Sequence, residues 1–130
     1  MEKKIPETLD DSRARLYAPV PREETAYHLW QEFDPELARK LSEFFVGGMY
    51  RREVLSQRER ELCAVAALTV LRCQDELRLH IHAARNSGAS KEEIAEVIFQ
   101  MVTYGGAPSL VQGLRTAKAA LLERGEWEER

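Results

Sequence analysis

The sequence predicts an all-α protein, and three observations carry that expectation. Apolar residues recur at three- and four-residue steps along most of the chain. Two capping boxes, Ser56-Gln57-Arg58-Glu59 and Ser90-Lys91-Glu92-Glu93, open two of these runs: each serine hydroxyl can bond the amide of the glutamate three residues on, and the glutamate can reach back. No stretch alternates apolar and polar residues as a half-buried strand does, and no hairpin turn is present. At 130 residues, 44% hydrophobic and 32% charged, the chain is one domain's worth and can bury a core.

Residues 1–21 carry Pro6, Pro19 and Pro21 without sustained periodicity and read as an extended arm with at most a short helical turn. A single helical domain is expected over 22–126. Tyr27, Trp30 and Phe33 recur at three-residue steps until Asp34-Pro35, where Asp caps a new helix and Pro takes its first position without losing a hydrogen bond. Leu37, Leu41, Phe44 and Phe45 continue the stripe to Gly47-Gly48, a helix stop. From Ser56 an apolar, alanine-rich helix runs through Leu62 to Leu71. Ser90 opens a helix with Ile94, Val97, Ile98 and Met101 on one face. Tyr104-Gly105-Gly106-Ala107-Pro108 breaks the chain, and Leu110, Leu114, Ala117 and Leu121 stripe a last helix to about Glu123.

No Gly or Pro lies between Ser56 and Ser87. As one helix that stretch would be roughly 48 Å long at ~1.5 Å per residue, a rod that a domain with a radius of gyration near ~14 Å cannot contain. A break is therefore expected at Arg72-Cys73-Gln74-Asp75, capped by Asp75 or a neighbour. That gives two antiparallel core helices and places Cys73 near a helix N-terminus.

Composition also excludes functions. Lys plus Arg is 19, Asp plus Glu is 22 and the net charge is −3, so no basic surface is expected for nucleic acid. No apolar run reaches the ~18 residues of a membrane span. Met1-Glu2-Lys3-Lys4-Ile5-Pro6 lacks the apolar core of a secretory signal. Two cysteines without a CxxC form no disulfide framework, which points to the reducing cytoplasm.

Glu76 and His80, four apart, share a helical face, where a carboxylate and an imidazole can pass a proton near neutral pH. Such pairs are also common on solvated helix surfaces. Cys73 joins this neighbourhood, either as a thiol favoured as thiolate by the helix N-terminus or as a small buried filler. Cys63, among Leu62, Ala64 and Val65, reads as buried filler. Glu61, in the first turns of its helix, either complements the helix dipole or, once the chain folds back at 72–75, approaches Cys73 and His80. His82 points away from His80 and His28 is isolated, so no metal site is expected.

The run Glu76-Leu77-Arg78-Leu79-His80, with Ala84, Gly88, Glu92-Glu93-Ile94-Ala95-Glu96-Val97 and Tyr104-Gly105-Gly106-Ala107-Pro108, resembles the carboxymuconolactone decarboxylase family over roughly residues 55–122. Gly47, Tyr50, Arg52 and Leu55 resemble its upstream segment more loosely. The resemblance implies a helical subunit that assembles as a symmetric homo-oligomer, commonly a hexamer built as a trimer of dimers. It implies a small-molecule substrate, and either cofactorless decarboxylation of γ-carboxymuconolactone in aromatic catabolism or, in the alkylhydroperoxidase-D-like (AhpD-like) branch, thiol redox chemistry of the peroxidase type. On the redox pattern Glu61, Cys73 and His80 match, while Glu76 stands where the second cysteine belongs. On the decarboxylase pattern Glu76 and His80 match, and the tryptophans of the upstream segment are missing.

Three functional expectations follow. In the first, His80 is the acid of a decarboxylation, Glu76 orients it, and Arg52 clamps a substrate carboxylate. In the second, Cys73 is oxidised and recycled by an external thiol while Glu61 and His80 manage protons. In the third, the fold serves as a non-enzymatic helical oligomer.

Overall fold

The structure, a computed structural model, describes residues 9–130, and the regular elements among them are all helical. Seven α-helices follow one another: α1 Leu9–Tyr17, α2 Ala26–Phe33, α3 Pro35–Phe45, α4 Gln57–Leu71, α5 Gln74–Asn86, α6 Lys91–Gln100 and α7 Val102–Glu123. Short 3-10 turns sit at Arg22–Glu24 and Met49–Arg51. None of these helices is long and apolar enough to cross a membrane.

Local chemistry sets most boundaries. Both capping boxes form as the sequence implies, at Ser56–Glu59 and Ser90–Glu93. Asp34 accepts the Leu37 amide at 3.0 Å, with Pro35 in the first turn of α3. The break between α4 and α5 falls where it was expected, though the residue at the N-cap of α5 is Cys73 and not Asp75. Arg72 closes α4 in the left-handed region at φ 57°, ψ 35°. A side chain seldom accepts that conformation. Here the Cys73 amide reaches back to the Leu68 carbonyl at 3.1 Å. The Arg72 guanidinium also donates to Ser109 Oγ at 3.1 Å, which fastens the turn to α7.

The core gathers between α4, α5, α6 and α7: Val65, Leu77, Ile81, Ala84, Ala89, Ile94, Ile98, Ala117 and Ala120 form one buried cluster. Charged ties run around it. Arg78 of α5 grips Glu123 of α7 with two nitrogens, each at 2.6 Å, and Arg58 pairs with Glu93 across the starts of α4 and α6. His82, fully buried on α5, lies 3.3 Å from Arg124 and 3.6 Å from Glu123. Burial pushes its imidazole below the ordinary histidine range.

Two expectations change. The segment 1–21 is not an extended arm where it is described, because α1 occupies Leu9–Tyr17 and packs against α5. Asn86 Nδ2 holds its end through the Leu16 and Ala18 carbonyls at 2.8 and 2.7 Å. Residues 1–8 of that arm lie outside the described part. The break at 104–108 is a kink instead of a loop: Gly106 alone leaves helical geometry, at φ 83° and ψ 174°, and α7 resumes beyond it.

Gly113 is where α7 comes closest to its neighbours. A Cβ there would lie 2.8 Å from Ile98 Cγ2 and 3.0 Å from Thr69 Cγ2, both on buried residues of α6 and α4. Gly113→Val should therefore cost about 1–3 kcal/mol through overpacking, read as a thermal midpoint lowered by several degrees. An unchanged midpoint would show that the three helices are not in close contact at this point.

Candidate active site

The fold-back of α5 on α4 brings Glu61 to His80. Glu61 is fully buried, and its Oε2 lies 2.7 Å from His80 Nδ1. Gln57, one turn earlier on α4, donates its amide to the other oxygen, Oε1, at 3.0 Å. A buried carboxylate stays ionised only when its oxygens receive hydrogen bonds. An ionised carboxylate can only accept, and an imidazole paired with one carries the shared hydrogen on Nδ1 and turns Nε2 to other partners.

His80 forms part of the wall of a cavity of about 280 Å³. Tyr17 stands edge-on to the imidazole, ring centres 5.6 Å apart. Tyr27 and Trp30 of α2, Phe45 of α3 and Tyr50 of the second 3-10 turn supply further aromatic wall. Arg13, buried on α1, also lines the cavity; its guanidinium donates to Ser42 Oγ and lies 3.5 Å above the centre of the Tyr27 ring. Burial and the nearby Glu61 charge raise the Tyr17 phenol above its ordinary range and push Tyr50 up to about 12. Both therefore hold their protons at neutral pH and can donate to an oxygen in the cavity.

The structure separates the expected site residues. Glu61 and His80 meet. Glu76 borders the cavity but is exposed and makes neither a hydrogen bond nor an ion pair with His80, so Glu61 and not Glu76 is the carboxylate on the imidazole. Cys73, at the N-cap of α5, is not part of the cavity wall; its sulfur lies 3.8 Å from the Leu71 carbonyl oxygen. Arg52 is exposed at the end of the Met49–Arg51 turn, away from that wall, and its carbonyl accepts from Arg60. Cys63 is exposed, not a buried filler. Among the described residues, no three His, Cys, Asp or Glu side chains are arranged to hold a metal ion.

Gln57, Arg13, Tyr17 and Tyr50 are the residues that sequence reasoning did not find. Two i, i+4 spacings were available as signals: Gln57 to Glu61 within α4, and Arg13 to Tyr17 within α1.

The fold is all-helical and sets a buried carboxylate against an imidazole that lines an aromatic-walled cavity, an arrangement chemically able to accept or deliver a proton. Residues 35–119 match the carboxymuconolactone decarboxylase family, and the chain belongs to that family. It is 34% identical over 94 residues to an uncharacterised 15.0 kDa protein of Paracoccus denitrificans, covering 71% of this chain and 70% of that one. It is 30% identical over 94 residues to 4-carboxymuconolactone decarboxylase of Acinetobacter baylyi, covering 72% and 70%. A nitrosuccinic acid decarboxylase of Metarhizium robertsii is 24% identical over 91 residues, covering 68% of this chain and 64% of the relative.

The raised phenol of Tyr50 has a pH consequence. Between the ordinary value of 10.0 and about 12, the unfolded chain gives up this proton before the folded one does, so stability falls as pH rises through that window. Thermal midpoints followed across it should fall less steeply in Tyr50→Phe than in the parent. Equal slopes would mean that this phenol is as solvated as in the unfolded chain.

Proposed function

We propose that the protein is a cofactor-independent decarboxylase of a small carboxylated lactone, or of a closely related acid whose carbanion is conjugated to a carbonyl. The observation that carries this reading is the buried Glu61–His80 pair opening on a cavity walled by aromatic rings and one guanidinium. The two relatives with named activities act on different molecules, carboxymuconolactone and nitrosuccinic acid, yet both names describe loss of a carboxyl group. The reaction class is therefore better supported than the substrate.

The chemistry follows from the residues. The substrate carboxylate leaves as CO2, and the bonding pair it releases flows into the conjugated carbonyl to give a dienolate. Tyr17 and Tyr50 hydroxyls donate to the developing oxyanion, the kind of preset donor that lowers such barriers most. The imidazolium of His80 delivers its Nε2 proton to carbon, while Glu61 orients the ring through Nδ1 and balances its charge. One proton is consumed per turnover and solvent returns it to His80. Arg13 takes the role expected of Arg52, because its guanidinium is at the cavity wall. A site without Cys73 does not favour the thiol-redox reading. We place the activity in the cytoplasm, in the breakdown of aromatic-derived acids.

Incubation with γ-carboxymuconolactone should release CO2. His80→Ala should lower kcat by about 10²–10⁴, and Arg13→Met should act mainly by raising KM. No CO2 above the background rate would remove this reading.

A homo-oligomer, with a hexamer of three dimers as the expected form, belongs to the same proposal. Leu29 and Phe33 of α2 and Leu37 and Phe44 of α3 are all exposed, large apolar side chains on two helices that pack together, and such exposure is of the kind that marks an interface. Light scattering coupled to gel filtration should give a multiple of the 14.9 kDa chain mass, and Phe33→Lys with Phe44→Lys should lower it. A monomer in the parent protein would contradict the assembly.

A further inference from the structure

We infer that Gln57 is a positioning residue whose amide holds Glu61 ionised and thereby fixes which nitrogen of His80 carries the proton. Its kinetic consequence rests on the decarboxylase reading above; its effect on the imidazole does not.

The geometry makes the two oxygens of Glu61 unequal. Oε2 takes the imidazole at 2.7 Å, and Oε1 takes the Gln57 amide at 3.0 Å. The glutamate has no solvent exposure, so water cannot replace a donor that is removed. The titratable groups whose charges couple to it come from other elements, Tyr17 from α1, Tyr50 from the second 3-10 turn and His80 from α5. Neither phenol makes a hydrogen bond to Glu61, whose partners are the His80 ring and, on α4 itself, the Gln57 amide. Gln57 reaches Glu61 from outside the cavity. It lines a separate open groove of about 790 Å³ that shares only Leu16, Val46 and Tyr50 with the cavity wall. Substrate bound beside His80 therefore leaves the Gln57–Glu61 contact in place.

Without that amide, Oε1 is a buried acceptor with no donor, and an ionised carboxylate is disfavoured. A proton on Glu61 relieves it. Glu61 then donates to Nδ1, the imidazole hydrogen moves to Nε2, and an imidazolium there has lost its counter-charge. Neutral imidazole with hydrogen on Nε2 is a poor acid toward carbon.

Nitrogen-15 NMR of the histidine rings in the free protein tests this directly. The parent should show hydrogen on Nδ1 of His80, in the imidazole and the imidazolium alike. Gln57→Met, similar in length but without a donor, should show hydrogen on Nε2 at the same pH. Gln57→Leu, which also lacks a donor, should do the same. Gln57 starts α4 at its solvent-facing end, and circular dichroism checks that each variant folds. Either folded variant that keeps the parent's hydrogen on Nδ1 would overturn the inference. With substrate, Gln57→Met should lower kcat roughly ten-fold, the scale of one lost hydrogen bond to a charged group, with KM unchanged. A parent protein that turns over no lactone would remove the functional reading and leave the NMR test standing.

Discussion

The Glu61 carboxylate sits inside the protein with no access to water, and the arrangement around it has to answer that fact. A charge moved from water into a protein interior costs several kcal/mol unless hydrogen bonds replace its hydration. The replacements are the Gln57 amide and the His80 ring. One is on the same helix and the other on the next, so the register between α4 and α5 is tied to the site. A shift of α5 by one residue would turn His80 by about 100° around its axis and leave Glu61 with a single donor. That register is held at the turn between the helices. There a left-handed arginine, rather than a glycine, closes α4 and reaches Ser109 of α7, whose hydroxyl in turn donates to the Gly105 carbonyl at 3.0 Å. The Glu61–His80 pair is consequently anchored through three helices, although only two of them supply it.

The cavity has a divided origin. Glu61, Gln57, His80 and Tyr50 lie within the segment matched to the family, while Arg13, Tyr17, Tyr27 and Trp30 lie before it. The Glu61–His80 pair thus lies within the segment matched to the family, and much of the cavity wall comes from α1 and α2. The relatives named as decarboxylases act on different molecules; under the proposed function the Glu61–His80 pair would supply the proton, and α1 and α2 the fit to the acid.

Much of this was legible in the sequence. The capping boxes, Asp34-Pro35 and the break near Cys73 depend on local bonding, which neighbouring residues decide by themselves. The approach of Glu61 to the His80 region also followed, because a helix too long for the domain had to fold back. What was not legible required tertiary information. Helix α1 presents a buried arginine, Arg13, along with Leu16 and Tyr17, so its inward face carries no clean apolar stripe to detect. Glu76 and Glu61 were both plausible partners for His80, and the i, i+4 spacing favoured Glu76. The inter-helix distance decided for Glu61, and spacing along one helix cannot report that distance. Arg52 and Arg13 are both arginines near the right region, and only the docking of α1 shows which one reaches the cavity.

The charges of the proposed reaction complete the account. Before reaction the Glu61 carboxylate is set against the His80 imidazolium, and the leaving carboxylate brings one further negative charge. Loss of CO2 moves the substrate's negative charge onto the dienolate oxygen without changing the sum, and the two tyrosines meet it there as neutral donors. Transfer of the imidazolium proton to carbon then removes one cation and one anion together. Neither step changes the net charge of the site, so its balance is kept through both and the cost of burial does not rise. A second carboxylate on the imidazole, such as Glu76 turned inward, would break that balance, and Glu76 stands in solvent at the cavity's border.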